Sequence, residues 1–135
     1  MTILGVGVDL IDLARAERLL HRKGLQAVYR LLTEAEHRSI QNRTPFAQHF
    51  ASSLAAKEAV YKALQSLPGA RGIGWRDIEV ERGDDGRPTV RLHGTAARVL
   101  AAQPNAHIHL ALSHSALTAG AVAVVEAGPV QGAPA

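Results

Sequence analysis

Three side chains with the chemistry to handle a phosphate group stand at two distant places in the sequence: Asp9, and Glu58 with Lys62. Glu58 and Lys62 are four residues apart, so in a helix they share one face. Asp9 ends an apolar stretch, and a buried carboxylate needs a partner. Two carboxylates beside a lysine can hold Mg²⁺ and leave its other positions for phosphate and water. The alternative interpretation of Glu58 and Lys62 is an ion pair on a helix surface.

A second polar cluster, Ser113-His114-Ser115, follows an apolar stretch that ends at Leu112. It is either a turn capped by its own side chains or a set of hydrogen-bond donors at a strand end, where a ligand can bind. Gly5 and Gly7 do not indicate a phosphate-binding loop, because they lie inside an apolar strand pattern and not between a strand and a helix.

Five cationic side chains lie close together between residues 15 and 30. They are Arg15, Arg18, Arg22, Lys23 and Arg30. This segment is either the solvated face of a helix or a docking surface, whose long-range attraction speeds the encounter with an acidic partner. The whole chain is also basic, with a net charge of +3, which suits an acidic protein, a phosphate-bearing ligand or nucleic acid.

The composition limits both the fold and the compartment. Of the 135 residues, 47% are hydrophobic, enough for one domain with a core. The absence of cysteine excludes disulfides, thiolate metal sites and a cysteine nucleophile. No apolar stretch approaches the roughly 20 residues of a membrane span, and Asp9 and Asp12 interrupt the early apolar run that a signal peptide needs. We therefore expect a cytoplasmic protein that does not act at a membrane.

The candidate residues should be positioned by a strand and a long helix. Apolar, β-branched residues predict a strand over 2–9. The segment 46–64 contains no Gly or Pro and is rich in Ala, which predicts the longest helix of the chain. Small side chains at Ala55, Ala56, Ala59 and Ala63 would let a strand or a ligand approach this helix closely.

Helix and turn signals predict the remaining elements. Thr33 and Glu36 have the spacing of a capping box, and Thr44-Pro45 is typical of an N-cap followed by the first helical residue. The other predictions are a helix over 12–31 bent at Gly24, strands over 77–82, 88–92, 107–113 and 119–126, and a helix over 95–102. This order predicts an α+β fold, with one long helix packed on a small, mostly antiparallel sheet. Residues 1–127 would form a single domain and 128–135 a flexible C-terminal tail.

Several sequence blocks follow one another along the chain. They are Gly5–Asp9 followed by Arg15, Leu31–Glu34, Ala55–Leu64 with a Lys-Glu-Ala-x-x-Lys-Ala box, Trp75–Glu79, Gly86–Pro88 and Leu112–Ser115. In order and spacing they resemble the signatures of the acyl-carrier-protein synthase family, the small type of 4′-phosphopantetheinyl transferase. The resemblance covers roughly residues 3 to 126.

The resemblance implies a fold, an assembly and a reaction. Members of the family have the α+β 4′-phosphopantetheinyl transferase-like fold and are usually homotrimers with active sites at the interfaces between protomers. With Mg²⁺ bound, a serine of an acidic acyl carrier protein attacks the β-phosphate of coenzyme A, and 3′,5′-ADP leaves. The reaction belongs to fatty acid biosynthesis in lipid metabolism, although a polyketide carrier protein is an open alternative here.

By the same resemblance, Asp9 and Glu58 match the family's metal ligands, and Lys62 matches the lysine beside the phosphates. Glu58 is the expected base for the serine proton, directly or through a metal-bound water. The residues expected near the coenzyme are Gly86, Arg87 and Pro88, from a neighbouring protomer, with Ser113, His114 and Lys62. Those expected to contact the carrier protein are Arg15, Leu19 and Arg22.

Two positions depart from the family pattern. Members often have Arg-Phe where this chain has Ser53-Leu54, and that arginine usually helps to bind coenzyme phosphate. Arg43 is a possible substitute. Some relatives also have an acidic residue where this chain has Ser115, so no proton transfer is expected there.

Two other functions would use part of the same residues. Another Mg²⁺-dependent phosphate enzyme would also use Asp9 and Glu58, but it would not explain the later blocks. A non-catalytic basic module for nucleic acid would need stacking aromatic residues beside its cations. No aromatic cluster accompanies Arg15 to Arg30, so we expect no nucleic-acid partner.

Overall fold

The computed structural model describes residues 1–129 of the chain. Its helices are α1 Leu13–Lys23, α2 Leu25–Leu31, α3 Glu34–Ile40, α4 Phe46–Leu64 and α5 Gly94–Ala101, with short 3₁₀ turns at Ala70–Gly72 and Trp75–Asp77. Its strands are β1 Thr2–Asp12, β2 Ile78–Arg82, β3 Pro88–Leu92, β4 Ala106–His114 and β5 Thr118–Ala127. Of the predicted tail, residues 130–135 lie outside this range, so the domain boundary stays a prediction. Within residues 1–129, every helix is too short or too polar to cross a lipid bilayer.

The strands form two separate antiparallel sheets. The larger has the order β1-β5-β4, and the smaller is the hairpin β2-β3. Helix α4 covers one face of the larger sheet, and its buried alanines and leucines form the centre of the core. The predicted α+β class, with a long helix on a mostly antiparallel sheet, is confirmed.

Glycines in β1 allow the strand to lie unusually close to α4. A Cβ atom built at Gly5 would be 1.9 Å from the carbonyl oxygen of Ala63, and one at Gly7 would be 1.9 Å from that of Ala59. No larger residue fits at either position, because the obstacle is helix backbone. Gly5 and Gly7 are therefore packing residues, which agrees with the rejection of a phosphate-binding loop.

The helical segment before α4 follows its local signals closely. The predicted helix over 12–31 is interrupted at Gly24, whose φ of +60° is a backbone conformation that favours glycine. Thr33 caps α3 and forms the predicted capping box with Glu36. The prediction of Thr44 as N-cap of α4 was wrong by one residue, because Pro45 has an extended ψ of 135° and is itself the N-cap.

A buried ion pair joins α4 to its neighbours. Lys57 is fully buried and its Nζ donates to Glu36 Oε1 at 2.6 Å and to the carbonyl oxygen of Ile78. The other oxygen of Glu36 accepts a hydrogen bond from the backbone N–H of Val80 at 2.9 Å. Burial lowers the pKa of Lys57, while the adjacent Glu36 carboxylate raises it. These contacts fix α4 against α3 and β2, and hence the direction in which the next residue, Glu58, points.

Candidate active site

Strand alternation places Asp9 on the face of β1 that meets α4. Its neighbours Val8 and Leu10 point to the opposite, exposed face, whereas Asp9 is only 8% exposed. The register pairs Asp9 with Ala121 of the central strand β5, so no bulky side chain separates it from the helix. The carboxylate thus lies between β1 and α4.

Lys62 reaches Asp9 from the helix. Its Nζ donates to Asp9 Oδ1 at 3.1 Å and to the carbonyl oxygen of Val8 at 3.1 Å. An ammonium group has three N–H donors, and the side chain of Lys62 is 52% exposed. One donor therefore remains for a ligand that approaches from solvent.

Glu58 lies one helical turn before Lys62 and beside the carboxyl group of Asp9. Burial raises the pKa of Glu58, and the adjacent carboxyl group of Asp9 raises it further, while Arg15 and Lys62 act in the opposite direction. Glu58 is therefore not paired with Lys62 as a simple surface ion pair, since Lys62 bonds Asp9. Two carboxyl groups held together in a partly desolvated place are poised to bind a cation.

One oxygen of Asp9 gives a direct test of whether a metal fits. Asp9 Oδ2 is buried and has no hydrogen-bond partner within residues 1–129, and buried polar atoms are rarely left without a partner. The described part of the chain holds no cluster of three or more acidic or histidine side chains for a closed metal site. Mg²⁺ often needs only one or two carboxylates, because phosphates and waters complete its octahedron. The residues present fit such an ion.

A narrow cavity leads away from Glu58 between α4 and α1. Its lining residues are Ile11, Arg15, Ala16, Leu19, Leu31, Leu54, Glu58 and Trp75. A wider groove of about 320 Å³ shares Leu19, Leu31 and Trp75 with it and carries Lys23 and Arg30 at its edge. Apolar walls with cationic edges therefore adjoin the two carboxylates.

Trp75 is a lining residue whose place in this groove the sequence did not indicate. Its ring stacks on Tyr61 of α4 with centroids 5.6 Å apart, so its position is fixed by the same helix that carries Glu58. Trp75 lies in a short 3₁₀ turn, and no periodic pattern in the sequence predicts which part of the fold such a turn contacts. The block Trp75–Glu79 resembles a family signature, but that resemblance gave its tryptophan no role.

The residues predicted to contact a partner lie on α1. Arg15 and Arg22 are exposed and Leu19 is half-buried. Arg15 and Leu19 line the cavity beside Glu58, whereas Arg22 stands one turn further along the helix. Four of the five cations of the basic segment thus lie on a helix that adjoins the carboxylates, and the fifth, Arg30, lies on α2.

The residues predicted to lie near the coenzyme are not all brought together. Gly86 and Arg87 lie in the β2-β3 hairpin turn and Pro88 begins β3, and among the described residues Arg87 pairs with Asp85 of the same turn. His114 ends β4, where its Nδ1 lies 3.3 Å from Gln48 Nε2 in the first turn of α4. Within one chain, none of these side chains shares a hydrogen bond or ion pair with Asp9, Glu58 or Lys62 in the range 1–129. Ser113, which precedes His114, is exposed on the sheet face that α4 leaves open.

Comparison with known proteins identifies similar sequences. Residues 5–121 match the family model of the 4′-phosphopantetheinyl transferase superfamily. Over 133 residues the chain is 43% identical to the holo-[acyl-carrier-protein] synthase of Paramagnetospirillum magneticum, covering 94% of this chain and 98% of that protein.

Solved structures of similar shape agree with these matches. The acyl carrier protein synthase of Mycobacterium tuberculosis is 37% identical with a TM-score of 0.71, and the alignment covers 94% of this chain and all of that one. The holo-(acyl-carrier-protein) synthase of Bacillus anthracis, solved in complex with CoA (3′,5′-ADP), is 30% identical with a TM-score of 0.75 over 95% of this chain and all of that one.

Proposed function

The chain belongs to the 4′-phosphopantetheinyl transferase superfamily, and we propose that Asp9, Glu58 and Lys62 are the residues with which it carries out its reaction. It is a holo-(acyl-carrier-protein) synthase. It transfers the 4′-phosphopantetheine group of coenzyme A to a serine of apo acyl carrier protein, giving holo carrier protein and 3′,5′-ADP. The observation that carries the residue assignment is the meeting of two distant carboxyl groups and one exposed ammonium between β1 and α4.

In the proposed mechanism, Glu58 takes the proton of the attacking serine hydroxyl. Burial and the adjacent Asp9 carboxyl group raise its pKa when no metal is bound, and a higher pKa makes a carboxylate a stronger base. The serine oxygen forms a bond to the β-phosphorus of coenzyme A, and the bond from that phosphorus to the bridging oxygen breaks. The bridging oxygen leaves with 3′,5′-ADP and receives a proton or hydrogen bond from Lys62, which has one N–H left for a ligand after its bonds to Val8 and Asp9.

Asp9 and Glu58 would hold Mg²⁺, with Asp9 contributing the oxygen that has no other partner among residues 1–129. When bound, the ion neutralises the pyrophosphate and stabilises the charge that develops on it. Lys62 keeps Asp9 oriented through the bond to Oδ1. The Asp9 backbone is held in turn by β5, so the carboxylate oxygens are in position before a metal binds.

The basic face of α1 is proposed to bind the carrier protein. Arg15, Leu19 and Arg22 combine exposed guanidinium groups with an apolar side chain that lines the cavity next to Glu58. An acidic helix placed on this face would bring its serine towards the carboxylates. Attraction between exposed charges speeds such encounters and is screened by salt.

The open face of the larger sheet supports a homo-oligomer, and we propose the trimer. Val6, Val8 and Leu10 of β1 and Val122 of β5 are between 42% and 67% exposed, and they form a continuous apolar patch, which in a soluble protein commonly marks an interface. In such an assembly Gly86–Pro88, Ser113 and His114 would reach the coenzyme held by a neighbouring protomer. Light scattering should give the mass of three chains, and Leu10→Lys should reduce it. A monomeric wild-type chain would contradict the assembly.

The cytoplasmic location stays a prediction.

The experiment that tests the function is a transfer assay. The protein is incubated with Mg²⁺, coenzyme A and an apo acyl carrier protein, and the carrier is weighed by mass spectrometry. The expected product is heavier by one phosphopantetheine group, and the increase is lost when Mg²⁺ is removed by a chelator. An unmodified carrier under all conditions, with a folded enzyme, would contradict the function.

A further inference from the structure

One end of the open face of the larger sheet carries titratable side chains beside apolar ones. Residues opposite each other in an antiparallel ladder share a face, and the register pairs Glu126 of β5 with His107 of β4 on one side and with Ile3 of β1 on the other. The next row along the same face consists of His109, Val124 and Val6. Ile3 and Val6 are 54% and 57% exposed. These two rows therefore continue the apolar patch that we propose as the contact between protomers.

His109 and Glu126 already contact each other across the two strands. His109 Nε2 lies 3.5 Å from Glu126 Oε2, and the two side chains are 61% and 18% exposed. His107 lies directly opposite Glu126 in the ladder and is also exposed. The two rows thus hold two imidazole groups and one carboxylate, so Glu126 can neutralise one protonated histidine and leaves the other without a counter-ion.

The other charged groups on the neighbouring elements are cationic, paired or distant. The amino group of Met1 precedes the first row, and Arg91 of β3, the strand beside β4, is paired with Glu81. The acid on the open face at the other end of β1, Asp12, is roughly 30 Å away at the rise of a strand. Helices α4 and α5 lie on the opposite face of β4. Among residues 1–129, Glu126 is therefore the acid placed to neutralise an imidazole at this end.

Acidification reverses the sign of the charge on these two rows. Histidine is the side chain that ordinarily gains a proton between about pH 8 and pH 5, whereas a carboxylate stays charged over most of this range. Near pH 8 each chain contributes the negative charge of Glu126, and once both imidazole groups are protonated it contributes a net positive charge. In an assembly that covers this face, the excess charge loses its hydration, which is costly without a counter-ion.

We propose that protonation of His107 and His109 separates the protomers, so that this end of the sheet makes the homo-oligomer sensitive to pH. This inference rests on the proposed assembly, in which the open face is the contact between chains. A free chain keeps both imidazole groups in water, whereas in the assembly Glu126 can neutralise only one of them. The free chain therefore takes up more protons. By linkage, the assembly is fully stable above about pH 7 and weakens as the pH falls below about 6.

The test is the mass of the full-length protein in solution, measured by light scattering over a dilution series on both sides of this range. At about pH 7.5 the wild type should have the mass of three chains. At about pH 5.5 the mass should shift towards that of one chain, and the protein concentration at which half of the assembly dissociates should rise about tenfold or more. Circular dichroism of the same samples should be unchanged, because the separated chains stay folded.

Two variants should move this response in opposite directions. The double variant His107→Gln, His109→Gln should keep the mass of three chains at both pH values, since neither glutamine gains a charge. Glu126→Gln removes the neutralising carboxylate and should dissociate at a higher pH than the wild type. His21→Gln, which replaces an exposed histidine of α1, is the matched control and should respond as the wild type.

Three results would overturn the proposal: a wild type with the mass of three chains at both pH values, a double variant that dissociates as the wild type does, or a loss of circular dichroism that accompanies dissociation, since the chain then unfolds. A wild type that is monomeric at about pH 7.5 contradicts the proposed assembly and this inference with it. Transfer of phosphopantetheine is measured in a separate assay, so failure of the proposed reaction stays distinguishable from failure of the pH response.

Discussion

Two groups of lysine and carboxylate side chains meet at helix α4, and they differ in burial and in whether their polar atoms have partners. On one side Lys57 and Glu36 are buried, bonded to each other at 2.6 Å and supplied with further backbone partners. On the other side Lys62 is half exposed, Glu58 is partly desolvated against Asp9, and one Asp9 oxygen has no partner within the described residues. The polar atoms of Lys57 and Glu36 all have partners. In the group of Asp9, Glu58 and Lys62, one carboxylate oxygen and one ammonium donor are left for a ligand. Unsatisfied polar atoms, and not residue types, distinguish the candidate site from the scaffold.

The largest expected effect is on turnover, from a substitution in the group of Asp9, Glu58 and Lys62. Glu58→Gln should lower kcat by about 10²- to 10⁴-fold, the range for loss of a general base, while the free energy of unfolding stays the same or rises, because burial disfavours the charged carboxylate. Glu17→Gln, an exposed acid on α1, is the control. A Glu58→Gln enzyme with wild-type turnover would contradict the assigned role.

Substitution in the buried pair of Lys57 and Glu36 should instead lower the stability of the fold. Lys57→Met leaves Glu36 buried without its counter-ion, which should cost about 3–5 kcal/mol of stability in urea unfolding. Glu36→Gln in the Lys57→Met background should recover part of this loss, because no uncompensated charge remains. The recovery is incomplete, because Thr33 and Val80 donate to different oxygens of Glu36 and the one amide oxygen of Gln can accept from only one of them. A Lys57→Met protein as stable as the wild type would show that the two groups do not differ as described.

Local signals explain why much of the fold could be predicted from the sequence. The Ala-rich run of α4, the capping box of Thr33 and Glu36, and the turn residues between β2 and β3 each determine structure over a few neighbouring residues. The meeting of Asp9 with Glu58 was predicted because family signatures link two segments that no local rule connects. Their contact depends on Gly5 and Gly7, which let β1 approach α4.

Features built from several elements could not be predicted in this way. Lys57 has the same residue type as Lys62, and only the packing of α3 and β2 against α4 buries it. His49, in the first turn of α4, is close enough to feel the charges of Arg43 and Arg82, which come from two other segments that share no periodicity with it. Trp75 reaches the groove beside Glu58 from a 3₁₀ turn, where sequence patterns carry little information.

A smaller effect is expected on the basic face of α1. Arg15→Glu should raise the KM for the carrier protein about tenfold at low salt, since reversal of an exposed charge weakens steering and docking, and it should change the KM for coenzyme A much less. The difference from the wild type should shrink as salt rises. Arg71→Glu, exposed on a 3₁₀ turn, is the matched charge reversal. Equal changes in both KM values would argue against a docking surface.

The smallest effect concerns the pH dependence of stability and His49, in the first turn of α4. The pKa of His49 is lowered in the folded state, so the unfolded chain binds the proton more readily, and stability should fall as pH drops below about 6.5. His49→Gln should make this fall shallower, as measured by urea unfolding between pH 7.5 and about 5. Identical pH dependence in both proteins would show that burial and the nearby charges of Arg43 and Arg82 do not lower the pKa of His49.

Thermodynamic coupling between Mg²⁺ and coenzyme A tests most directly whether the Asp9 and Glu58 carboxylates form one cation site. The dissociation constant of coenzyme A is measured calorimetrically with and without Mg²⁺, in the absence of carrier protein, for the wild type, Asp9→Asn and Glu58→Gln. Mg²⁺ should tighten binding to the wild type by about tenfold or more, a typical coupling between two ligands, and should have little effect on either variant. Equal tightening in all three proteins would mean that the ion is held elsewhere.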